Sequence, residues 1–445
     1  MLFRFYDAQG FPQNFGFGHG WVEGGPLLPV KTELYQSGLG TEALRALSNL
    51  AHLVGKEDVS KELDQAFARM KPLLNRAFWS PVKNIFAFAL DKDNQRVEIP
   101  SVLATVPMWF GLLDEDKSEA MLNQLAGSEH QTDWGMRIIS SQDPKYNPGG
   151  YHFGSVWPLF TGWASVGEYR YHRALPAYSN LRANALLALD GSLGHVTEVL
   201  SGDYYQPIST SSPHQIWSAA MVVSPILRGM FGLETYANSH RLVFAPHVPA
   251  DWTSFRVQNL RVGNSTVDMT YRKTAESITL DIKRTGTGDC TLEFAPALSL
   301  RTTPLGAELN GRPIAFHAQT NAVDQHASVQ FSVTGNASTL RIRIRNDFGL
   351  ALSSSLPALG SSSRGLRILS ESWSGPHDTL SLDVSGLSGN VYELGLWNSS
   401  QIESLDGAEL VKTTQDQAVA RIQFPASSSE AYAQKKITLH FSTKR

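Results

Sequence analysis

The chain has one cysteine, Cys290, among its 445 residues. A single thiol excludes an intrachain disulfide framework, and its place in the strand-like run CTLEF reads as a small buried apolar residue. No apolar run approaches the roughly 18 residues that a membrane-spanning helix needs. The opening MLFRFYDAQGFPQNFG lacks the basic and apolar regions of a signal peptide and reads like the middle of a domain. Lys and Arg are scattered and the net charge is −3, which argues against a nucleic-acid or anionic-membrane partner. His19, His152, His195 and His214 show no zinc spacing of the HExxH kind, so no catalytic metal is expected. No Gly-rich phosphate loop follows a strand, and no Gly-x-Ser-x-Gly elbow is present. Nucleotide cofactors and serine-triad chemistry therefore drop out, and no cofactor is expected.

What is present is aromatic. Ten Trp and thirteen Tyr offer faces for stacking on sugar rings, although core burial is the commoner use of such residues. Residues 1–235 have helical periodicity. Val59, Leu63, Phe67, Met70 and Leu74 recur at helical spacing behind Asp58 as N-cap, and Leu44, Leu47, Ala51 and Val54 form a stripe before them. Further helices are predicted at 100–113, 116–126, 155–171, 176–189 and 213–232, with Pro225 bending or ending the last. Near residue 240 the period falls to two. Val267, Met269 and Tyr271, then Ile278, Leu280 and Ile282, then Leu340, Ile342 and Ile344 alternate with polar residues, so 236–350 reads as an antiparallel β-sandwich. The Ser/Gly/Pro-rich 351–365 reads as a linker, and 366–445 as a second, smaller β-domain.

Three stretches of the helical part combine acids or histidines with aromatics and glycines. They are GHGWVEGG with TELYQSG, the loop region 131–163, and 194–217. Glycines there are expected to let a ligand approach the backbone. Four motifs occur in order: Trp21-Val22-Glu23 with Thr32-Glu33-Leu34-Tyr35, Gly154-Ser155-Val156-Trp157-Pro158, Thr197-Glu198-Val199-Leu200-Ser201-Gly202, and Gln215-Ile216-Trp217-Ser218. Together they resemble the C-terminal catalytic half of the glycogen-debranching and amylo-α-1,6-glucosidase family. More broadly they resemble the six-hairpin glycosidases built on an (α/α)6 toroid, where a β-sandwich follows the helices in rhamnosidase-type relatives. Fewer helices are legible in 1–235 than a complete toroid needs. The chain thus reads as the C-terminal part of a longer protein or as an incomplete barrel. Glu23 also stands where the debranching enzymes usually carry Asp, which bears on linkage and substrate.

The resemblance implies an inverting glycoside hydrolase acting on an oligosaccharide or polysaccharide, expected to be α-linked. Glu23 would donate the proton, its pKa raised by burial beside Trp21, and Glu198 would activate water. Trp21, Glu33, Asp133, Trp134, Arg137, His152, Trp157, His214, Gln215 and Trp217 would line the sugar subsites. Plainer readings stand beside these. Glu33 suits the N-terminal end of a helix, Asp133 a turn cap with Arg137 as its structural partner, His152 and His214 structural histidines, and Trp157 and Trp217 core. Two rival functions remain: a carbohydrate-binding protein without turnover, and, ranked lower, a polysaccharide lyase, for which Arg137 is the only arginine in the three stretches. The composition suits a bacterial periplasmic or secreted protein and a cytoplasmic one equally, and it does not speak to oligomeric state.

Overall fold

A computed structural model describes residues 6–14, 30–414, 416–427 and 431–442. It divides into two compact units. The first comprises the described residues up to Pro225 together with Ser354–Arg367, and the second comprises Ile226–Ser353 with the described residues from Ile368 onward. The stretch 351–365 begins in a strand, Gly349–Leu352, and continues into a segment that belongs to the helical unit. The strands from 349 onward form two four-stranded sheets of their own within the second unit.

The described residues of the first unit carry seven α-helices: α1 Leu34–Leu53, α2 Glu57–Phe78, α3 Thr105–Trp109, α4 Glu115–Leu125, α5 Pro158–Arg170, α6 Ala174–Leu187 and α7 Ile216–Ser224. Among the described residues no helix is long and apolar enough to cross a membrane. The expected stripe is only partly the inner face of α1: Leu44 packs on the core and Ala51 is buried. The helix buries Ser37, Gly38, Thr41, Ser48 and Ala51, while Leu47, Leu50, Leu53 and Val54 are exposed. A Cβ on Gly38 would stand 2.8 Å from the Pro107 side chain of α3. Val59 of α2 is likewise exposed, whereas Met70 and Leu74 are buried as the periodicity predicts.

Helix α5 is the hub of this unit. Pro158 opens it at a position where a missing N–H costs nothing. It is buried along almost its whole length and packs on α3, α6 and α7. Two glycines make this possible. A Cβ on Gly162 would lie 2.4 Å from the Met221 side chain of α7, and one on Gly167 would lie 3.1 Å from the Thr105 carbonyl of α3.

Pro225 ends α7, and a wider π-helical turn, Pro225–Met230, follows. Proline has no N–H to give the carbonyl four residues back, that of Met221. The buried Asn184 of α6 fills the gap, its Nδ2 donating to the Met221 carbonyl at 3.0 Å and to the Pro158 carbonyl at 2.8 Å. One amide thus joins α5, α6 and α7.

The second unit is antiparallel β except where Arg241–Phe244 runs parallel to Cys290–Phe294. One six-stranded sheet orders the strands 254–262, 265–273, 277–286, 337–345, 303–309 and 312–314. The expected alternation holds: Ile278, Leu280, Ile282, Leu340, Ile342 and Ile344 face inward, and Arg341, Arg343 and Arg345 face solvent. A second six-stranded sheet, two four-stranded sheets and a buried Cys290 complete the unit. Polar side chains join its early and late strands. Arg301, 1% exposed, donates to the Ser442 carbonyl at 2.6 Å, and Asn398 donates to the Asp347 carbonyl at 2.6 Å.

Replacing Asn184 by Ala leaves two buried carbonyls without this donor. The expected loss is about 2–3 kcal/mol of stability, read as a lower urea midpoint with an unchanged slope. An unchanged midpoint contradicts the linking role.

Candidate active site

Loops of the helical unit are laced together by short antiparallel bridges. Arg137 pairs with Val156, Val156 with Leu200, and Leu200 with Pro207. Residues 196–199 also pair with 211–215. The Gln215 amide donates to the Val196 carbonyl at 3.0 Å, the Glu198 amide to the Ser212 carbonyl at 2.9 Å, and the Val199 amide to Ser211 Oγ at 2.9 Å. Glu198 is therefore fixed by its own backbone.

Its side chain is fixed as well. Glu198 Oε1 accepts from the Tyr151 hydroxyl at 2.8 Å and from Gln215 Nε2 at 3.4 Å, and Oε2 accepts from the Ser212 amide at 3.1 Å. Gln215 caps α7, its Oε1 accepting from the Ile216 amide at 3.2 Å. Tyr151 is held in turn: its carbonyl accepts from Trp157 Nε1 at 3.0 Å and from Ser155 Oγ at 2.7 Å. Its ring stands edge-on to Trp157 at 4.6 Å and to His152 at 4.8 Å. Glu198 is buried, with 7% exposure.

Aromatic rings continue from this point towards α1. Trp157 stacks on Phe160 at 5.1 Å, Phe160 lies 5.1 Å from Trp163, and Trp163 stacks on Tyr35 at 6.1 Å. Two residues before Tyr35 is Glu33, which holds the N-cap position of α1 and is fully buried. Burial pushes its carboxyl up to about 9, so it carries its proton at neutral pH. The same unit encloses a second such acid, Glu168. Burial raises it to about 8 against the opposing pull of the Asn180 amide and Arg173.

The remaining expected residues are distributed as follows. Trp21 and Glu23 lie outside the described residues. Asp133 does not pair with Arg137. Its carboxylate accepts from Arg367 at 2.6 Å and from the amides of Arg364 and Gly365 at 2.7 and 2.9 Å. Burial alone would raise this acid, and those donors outweigh it and hold it below the usual range. Asp133 thereby staples 354–367 to the rest of the helical unit, and its carboxylate is engaged there rather than by a sugar. Arg137 instead donates to the carbonyls of Gly202 at 2.8 Å and Ser128 at 2.7 Å.

Trp134 is 0% exposed and donates through Nε1 to the Ser201 carbonyl at 2.9 Å, and Trp157 is 1% exposed. Both are core rather than sugar platforms. His152 stacks on Trp157 at 5.6 Å, at the edge of the Glu198 cluster. His214 is exposed, its ring 4.0 Å from that of His195. Trp217 is half-buried against the core. The glycines also depart from expectation. A Cβ on Gly154 or Gly202 would stand 2.3 Å from Tyr146, so both make room for that side chain and not for a ligand. Sequence reasoning misses Tyr151, although it precedes His152 in a stretch already marked.

Residues 37–218 match the family model described as Mannosylglycerate hydrolase MGH1-like glycoside hydrolase domain. The helical unit is thus similar to a glycoside hydrolase domain of a six-hairpin family. The match takes in Glu198, Gln215 and Trp217 and begins after Glu33. No curated protein matches the chain. Among solved structures, a sialidase aligns at 14% identity with a TM-score of 0.54, over 73% of this chain and 30% of its own. An α-L-rhamnosidase from Dictyoglumus thermophilum aligns at 13% identity with a TM-score of 0.47, over 69% of this chain and 31% of its own. A GH63 mannosylglycerate hydrolase from Thermus thermophilus aligns at 17% identity with a TM-score of 0.36, over 44% of this chain and 45% of its own. The likeness to the sialidase is one of fold. The chain spans less than a third of the length of the sialidase and of the rhamnosidase.

Burial of Glu33 has a thermodynamic consequence. Its folded-state pKa lies above the unfolded value, so between about 4.5 and 9 the folded chain holds a proton that the unfolded chain has released. Stability then falls as pH rises through that window, by up to about 1.4 kcal/mol per pH unit for one proton. Glu33→Gln removes this term. Its melting temperature is expected to gain on the wild type steadily from pH 5 to pH 9, and parallel curves contradict the assignment.

Proposed function

We propose that the chain is the Glu198-bearing part of a glycosidase that hydrolyses a glycosidic bond with inversion. The observation that carries this reading is the seating of Glu198. A general base for water must be held in a fixed orientation, and Glu198 is held by the Tyr151 hydroxyl, the Ser212 amide and Gln215. The match of 37–218 to a glycoside hydrolase domain supports the reaction class.

In this mechanism Glu198 takes a proton from a water that attacks the anomeric carbon. Glu23 protonates the leaving oxygen from the other side, by its place in the Trp-x-acid motif. Inversion needs the two carboxyl groups roughly 6.5–9.5 Å apart, so that the water fits between base and sugar. Tyr151 is a positioning residue, because it acts through Glu198. Glu33 is un-ionised at neutral pH and enclosed. The substrate is a small glycoside or an α-linked oligosaccharide. Mannosylglycerate, which the name of the matched domain carries, belongs in the first screen beside the α-1,6-linked glucosides that the motifs suggest.

Glu198→Gln is expected to lower turnover by about 10²–10⁴-fold while sugar binding, read by calorimetry, persists. Tyr151→Phe is expected to lower kcat with little change in KM. A wild-type chain that binds sugar but turns over no substrate in the screen overturns the hydrolase reading in favour of a binding protein.

A further inference from the structure

The second unit holds a cluster that the glycosidase reading does not use. His247 follows the strand Arg241–Phe244, and Asp324 and His326 open the strand Asp324–Val333. Residues two apart on a strand point to the same face, so Asp324 and His326 are presented together. The backbone beneath them is fixed: Asp324 pairs with Ser299, and His326 with Ala297 on one side and Gln319 on the other.

The distances suit a metal ion better than a hydrogen-bonded triad. His247 Nε2 lies 3.3 Å and His326 Nε2 3.5 Å from Asp324 Oδ2. Charge-assisted N–H···O bonds are shorter, about 2.7–2.9 Å. Ligands around a tetrahedral ion with bonds of about 2.0–2.1 Å stand roughly 3.3 Å apart. All three ligand atoms lie within 4.8 Å of one another.

The outer contacts also fit. His326 Nδ1 lies 2.8 Å from the Ala295 carbonyl and must donate to it, which turns the Nε2 lone pair towards the cluster. Asp324 Oδ1 accepts from Asn321 Nδ2 at 2.8 Å, leaving Oδ2 directed at the two imidazoles. Ligating histidines and carboxylates are commonly oriented this way. The side chains are 17%, 6% and 15% exposed, enough for an ion to enter.

We propose that His247, Asp324 and His326 contribute to a binding site for a divalent transition-metal ion of the zinc class. Two imidazoles and one carboxylate are a donor set that zinc accepts and calcium does not favour. The ion would clasp the loop after Arg241–Phe244 to the start of Asp324–Val333. Sequence spacing could not show this, because His247 is remote in sequence from the other two.

The test uses the full chain, stripped with chelator and titrated with Zn(II), with Co(II) as a spectroscopic stand-in. Wild type is expected to bind one zinc per chain, to gain several degrees in melting temperature, and to give the intense visible bands of tetrahedral Co(II). Asp324→Asn and His326→Gln are expected to lose the bands and the thermal gain. His214→Gln, which removes one of the two adjacent imidazoles at 195 and 214, should keep both. Absence of zinc binding in wild type overturns the proposal, even if every variant unfolds. So does binding that survives in both Asp324→Asn and His326→Gln, or binding lost only in His214→Gln.

Discussion

The hydrogen bond from the Tyr151 hydroxyl to Glu198 is the contact on which the candidate site depends. It brings two loops into one register. Tyr151 is anchored through its carbonyl by Trp157 and Ser155 at the mouth of α5, and Glu198 is anchored through its backbone to Ser212 and through its side chain to Gln215 at the mouth of α7. A carboxylate in a loop would ordinarily sample many rotamers. Here the helix starts that flank it supply its donors, so its orientation is inherited from the scaffold.

That scaffold is itself arranged around α5. Small residues on its faces bring α3 and α7 close, and Asn184 replaces the hydrogen bond that Pro225 cannot make. Buried acids are part of the same construction. Glu33 and Glu168 are enclosed un-ionised at neutral pH, so the unit tolerates them at the cost of a pH-dependent stability. Asp133 is the contrasting case, an ionised acid whose charge is matched by Arg367 and two amides.

Much of this was legible in the chain as written. The strands at 278–282 and 340–344 show because each buries one face, and period-two alternation is what one-sided burial requires. The stop at Pro225 follows from the chemistry of proline. The acid-aromatic loops marked the region of Glu198. What could not be read was identity of partners. Leu47, Leu50 and Leu53 of α1 are exposed, while Gly38 meets Pro107, a contact that no pattern within α1 encodes. Gly154 and Gly202 looked like space for a ligand and are filled by Tyr146. Asp133 finds its cation at Arg367, far along the chain, where local reasoning offered Arg137.

The central claim is that Glu198 orients water and does not itself attack the sugar. Stereochemistry reports that directly. The first-formed sugar, followed by proton NMR before mutarotation, is predicted to have the anomeric configuration opposite to that of the substrate. Appearance of the retained anomer first would contradict the account, because it requires a covalent intermediate and two carboxyl groups too close to admit the water that Glu198 is assigned to activate.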